Sequence, residues 1–105
     1  MIIWHEQMYM DEKVRKNPMK YRRAVEKGKF KLSLYCITFP SNKENLFDIY
    51  HVNEFWFPHY KRNDITVVGL ATSKYAARQL VIEMIQDVYE KTNDVDVRAY
   101  FNMCD

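Results

Sequence analysis

A chain of 105 residues, 48% hydrophobic and 15% aromatic, is sized for one domain with a real core, and its composition excludes intrinsic disorder. No apolar run approaches the ~18 residues of a membrane-spanning helix, and Met1 to Glu6 lack a basic stretch leading into an apolar one, so a soluble cytoplasmic protein without a signal peptide is expected. The net charge of +2 excludes little, but residues 13–31 hold nine basic residues against Glu26 alone, a local +8 that leaves −6 for the rest; such asymmetry marks a nucleic-acid-binding arm or a basic helix that docks on acidic surface.

In chain order, residues 1–29 read as a helical N-terminal extension. Asn17-Pro18 has the residue types of a helix cap and first position, and Gly28 those of a stop, which predicts a helix from Pro18 to Lys27; residues 5–16 are expected to form a weaker preceding helix. Phe30 to Phe39 alternates and then turns uniformly apolar before Pro40, the pattern of a first strand. Ser41-Asn42-Lys43-Glu44 has capping-box spacing, so a helix carrying Leu46, Phe47, Ile49 and Tyr50 inward is expected.

Ile65 to Ala71 is a seven-residue apolar run between Asn63-Asp64 and Thr72-Ser73, as a strand covered on both faces requires. Thr72 or Ser73 can cap the next helix, whose apolar steps run through Ala76, Ala77, Leu80, Val81, Met84, Ile85, Val88 and Tyr89. Thr92-Asn93-Asp94 has turn composition, and Val95, Val97, Ala99 and Phe101 alternate as a last strand would. The expected fold is therefore α/β: one domain, 1–105, in which residues 30–101 form a βαβαβ core with a small three-stranded, mostly parallel sheet.

The segments Leu34-Tyr35-Cys36-Ile37-Thr38-Phe39-Pro40-Ser41-Asn42-Lys43-Glu44-Asn45, Val68-Gly69-Leu70-Ala71 and Asp96-Val97-Arg98-Ala99-Tyr100-Phe101 resemble a family of small, uncharacterised bacterial proteins. The resemblance spans roughly residues 30 to 101. It implies a standalone bacterial domain and brings no activity or site with it.

Chemistry-bearing residues are sparse. Cys36 and Cys104 have no CxxC spacing and suit a reducing compartment. His5, His51 and His59 lack the i, i+4 spacing of zinc ligands on a helix, and His51 or His59 as a general base beside Asp48, Glu54 or Asp64 has no nucleophile motif to serve. No metal, cofactor or catalytic residue is expected, and the balance leans away from an enzyme.

Three surfaces remain. Ser41 and Asn42 at one strand end, and Thr72, Ser73 and Lys74 at another, could hold an anion at a helix amino terminus, although Gly69 to Lys74 lacks the glycines of a phosphate-binding loop; ordinary capping is the plainer reading. Lys20, Arg22, Arg23 and Lys27 could contact nucleic acid, or could pair with the acidic 83–96 region. Phe55, Trp56, Phe57 and Tyr60 belong to an aromatic stretch too rich for a three-stranded sheet to hide, which points to an interface. The leading expectation is a non-enzymatic protein acting through protein–protein association, as a homo-oligomer or with a protein partner. Nucleic-acid binding through 13–31 is the alternative and anion or phosphate-ligand binding the third; no membrane partner is expected.

Overall fold

A computed structural model describes residues 2–27, 33–39, 46–52 and 65–104, with the backbone alone for 102–104. Four strands, β1 (Ile2–Met10), β2 (Tyr35–Thr38), β3 (Asp48–His51) and β4 (Ile65–Ala71), form a sheet in the order β1-β4-β2-β3. β1 runs parallel to β4, while β2 is antiparallel to both β4 and β3. The helices are α1 (Glu12–Lys16), α2 (Pro18–Lys27), α3 (Lys74–Thr92) and α4 (Val97–Cys104).

The mixed α/β class stands, but the sheet is neither three-stranded nor mostly parallel. Three assignments change. Residues 2–10 are the edge strand β1 rather than part of a helical extension. The helix expected after Ser41 gives way, over the described residues, to β3. The last expected strand is α4. Each has a local reason. In α4, Asp96 caps the helix by accepting from the Ala99 amide at 3.1 Å, and Val97, Tyr100 and Phe101 bury together at i, i+3, i+4 steps; that helical face competes with the period-two pattern and wins because the chain has already left the sheet. β1 hides its alternation behind an irregularity: Trp4 pairs with Val67 but Tyr9 with Gly69, so five steps of β1 span two of β4 and Glu6 and Gln7 are turned out into solvent. β3 pairs residue by residue with β2, Tyr35 opposite His51 through Thr38 opposite Asp48.

β4 has the predicted bounds and lies inside the sheet. Its sequence, apolar except at Thr66, reflects burial on two faces plus one extra residue. Ile37 pairs with Gly69 and Thr38 with Val67, so Val68 is a bulge residue. The faces follow: Val67 and Leu70 join one core, Val68 and Ala71 the other. Gly69 also turns toward the second core, where an added Cβ would lie 2.8 Å from Met84 Cε and 2.9 Å from Ile37 Cδ1.

Helices cover both faces. On one, Val14 of α1 and Ala24 and Val25 of α2 pack with Leu34, Cys36, Val52, Val67 and Leu70, flanked by Trp4, Met8 and Met10. On the other, Ala77, Leu80, Met84 and Val88 of α3 and Val97, Tyr100 and Phe101 of α4 pack on Ile37, Val68 and Ala71. Phe101 is fully buried and meets the rings of His5, Tyr9, Phe39, Phe47 and Tyr100 edge to face, with centroids 4.9 to 6.3 Å away; burial of such a ring contributes about 1.5–3 kcal/mol. No described helix is long and apolar enough to cross a membrane.

Candidate functional site

The parallel neighbours β1 and β4 send their following helices to opposite faces of the sheet. Between their carboxyl ends lies a switch point of the kind where α/β sheets collect ligands. Here the chain fills the place with its own carboxylate. Asp11, just after β1, accepts from the Val14 amide at 2.9 Å with one oxygen, capping α1. Its other oxygen accepts from both the amide and the hydroxyl of Thr72, each at 2.7 Å. Burial pushes the Asp11 carboxyl upward, but these hydrogen bonds and nearby Lys13 outweigh it and hold the group below the usual carboxylate range. Ser73 caps α3 by accepting from the Ala76 amide at 3.0 Å. Of the residues proposed to take an anion, Thr72 is thus bound to a negative group and Ser73 to its own helix, while Lys74 is exposed; Ser41 and Asn42 lie outside the described residues. Asp11, the residue that fills the crevice, went unremarked in the sequence, although an acid before a helical Glu-Lys-Val has the look of a cap.

Beside this crevice, on the outer edge of β1, Met8, Tyr9, Met10, Arg15, Leu80 and Glu83 line a cleft of about 230 Å³. The Asp11 amide donates to Leu70 on β4, so by strand alternation the Met10 peptide groups face outward. Arg15 Nε donates to the Met10 carbonyl at 2.9 Å and blunts this edge. At the inner end, the Tyr9 hydroxyl donates to Asp87 at 2.5 Å and lies 2.9 Å from the Tyr100 hydroxyl. Burial, with the bonds to Asp87 and Tyr100, pushes the Tyr9 phenol far above its usual range. These bonds make Tyr9 a clamp between β1, α3 and α4.

The remaining reactive groups have structural surroundings. Cys36 is fully buried, and burial keeps its thiol protonated. His51 meets Tyr35 edge to face at 5.1 Å. Asp48, three residues away on β3, falls on the opposite face of the strand and accepts from the Tyr50 hydroxyl. His59, Glu54 and Asp64 lie outside the described residues. Among the described residues, no group of three His, Cys, Asp or Glu side chains is arranged to hold a metal ion.

The surfaces carry more. On α2, Ala24 and Val25 face the core, and Lys20, Arg23 and Lys27 are exposed along another side. Arg22 is separate: its guanidinium stacks 4.9 Å from the Trp4 ring, while the Trp4 indole donates to Glu26 at 2.9 Å. The acidic residues of α3 belong to the opposite face of the sheet, so they are not the pairing surface for α2 within its own chain. On α3, a second apolar face stands opposite the buried one. Tyr75, Ile82 and Tyr89 are 71%, 50% and 59% exposed and recur at seven-residue steps, while Ala77, Leu80, Met84 and Val88 face the sheet. Tyr89, expected inward, belongs to the outer stripe: the seven-residue spacing was visible in the sequence but hidden by the longer apolar list of the inner face. Phe55, Trp56, Phe57 and Tyr60 lie outside the described residues.

No family model, curated protein or solved structure matches this chain. Its own surfaces must carry the functional reading.

Proposed function

We propose that this protein works by protein association, and that it associates with a second copy of itself through the outward face of α3. The observation that carries the reading is the stripe Tyr75–Ile82–Tyr89, three large apolar side chains in line on the solvent side of a helix whose other side already fills the core. Fourteen residues at the α-helical rise make a line of about 21 Å, and aromatic residues are favoured where surfaces associate. A water-facing stripe at this spacing is what a partner helix covers. Light scattering at rising concentration should show a mass above the monomer, and Ile82→Lys should return the protein to monomer with unchanged circular dichroism. A wild type that stays monomeric across the same range contradicts the reading.

A second reading rests on the exposed row Lys20, Arg23 and Lys27. Phosphate contacts from such a row bind nucleic acid without reading sequence. Binding to single- or double-stranded DNA or RNA should then fall steeply with salt, and Lys20→Glu/Arg23→Glu/Lys27→Glu should abolish it. No binding at low salt removes this reading.

A further inference from the structure

Resting on that association, the charges beside the stripe select its geometry: we infer that two copies pair their α3 helices parallel and in register, Ile82 against its symmetry mate, with Arg78 of each copy bonded to Glu83 of the other. Taking Tyr75, Ile82 and Tyr89 as one seam of a heptad, Gln79 and Gln86 form the second, more polar seam. Arg78 then precedes the line on one flank, and Glu83 and Glu90 lie on the other. Arg78 and Glu83 are exposed, and neither side chain makes a hydrogen bond or ion pair with another described residue.

The orientation of a partner decides which flanks meet. In a parallel pair each flank faces the opposite flank of the other helix, and a residue there reaches one five positions further on. Arg78 and Glu83 have that spacing, so the two-fold axis makes the same attractive pair twice. In an antiparallel pair centred on Ile82 each flank meets itself, which sets Glu83 close to Glu83 and leaves Arg78 beside Ile85. Like charges so placed repel by about as much as opposite ones attract. The parallel pair also closes on itself. Docking the Glu83 and Glu90 flank of α3 on the basic face of α2 would instead be head to tail, because those surfaces lie on opposite sides of the sheet, and it would build a ring or an open chain rather than a two-fold pair.

Disulfide trapping separates the register from the association itself. In full-length protein carrying Cys104→Ser, Tyr75→Cys alone should form a covalent dimer on mild oxidation, because in-register positions approach within disulfide range. A dimer trapped only when Tyr75→Cys and Tyr89→Cys chains are mixed means antiparallel pairing and overturns the register, while self-association stands. Charge exchange gives an independent measure that leaves the apolar stripe intact. Arg78→Glu and Glu83→Arg should each raise the dimer Kd about tenfold, since each change places two like pairs across the axis, and the double exchange should restore it. Failure of the double exchange to restore association overturns the proposed pairing. A wild type without any self-association overturns both this inference and the reading beneath it.

Discussion

Asp11 shows how much a single side chain can settle. One carboxylate caps α1 and ties the end of β1 to the end of β4 through Thr72, so Asp11→Ala removes a cap and leaves the Thr72 amide without its acceptor. The expected cost is about 1–3 kcal/mol in chemical denaturation. The same group gives a pH signature. Its carboxyl is held below the usual value in the folded chain, so its contribution is fully present above the unfolded carboxyl value near ~3.9 and is lost as pH falls through the lower folded value. Between those values the stability of wild type should fall more steeply with acid than that of Asp11→Asn; equal slopes would show that Asp11 is not the linked group. Gly69 is a second such position. Its missing side chain admits Met84 and Ile37, and Gly69→Ala should destabilise by about 1–3 kcal/mol through overpacking, read as a lower urea midpoint at constant slope. A neutral substitution would mean that the Met84 and Ile37 side chains swing aside freely.

Among the elements, those whose local signals agree with their tertiary role were readable in advance. β4 is apolar because both its faces are covered; α2 has Asn17 and Pro18 at its start; α3 has Ser73 before it and Asn93, in the left-handed conformation with φ 55°, after it. The elements that were misread carry conflicting local patterns. β1 breaks its own alternation between Trp4 and Tyr9. β3 is four residues long and takes its identity from pairing with β2, information held in another part of the chain. α4 offers both periods at once, and Phe101 decides for the helix by entering the aromatic cluster of His5, Phe39 and Phe47. Phe101→Ala should therefore cost about 3–5 kcal/mol, measured by denaturant titration. A loss below 1 kcal/mol would show that α4 is peripheral to the core. The candidate surface was not legible in the same sense. The aromatic residues that suggest an interface in the sequence, Phe55, Trp56, Phe57 and Tyr60, lie outside the described residues, and the seven-residue line on α3 becomes distinct only when the sheet shows which side of that helix is already occupied.

For the whole molecule, the sheet divides the work between its two sides. One side presents a basic helix; the other presents a helix that is apolar both inward and outward. The switch point, where a fold of this class commonly holds a ligand, is occupied by Asp11, and the phenol beside the cleft is held in its clamp. The outer face of α3 is the central claim. Isotope-edited NMR on a mixture of Ile-δ1-methyl-labelled and unlabelled chains tests it most directly. The account predicts intermolecular contacts at the Ile82 methyl, with shifts that change on dilution, and none at the buried methyl of Ile37. Concentration-independent shifts and purely intramolecular contacts at Ile82 would contradict it.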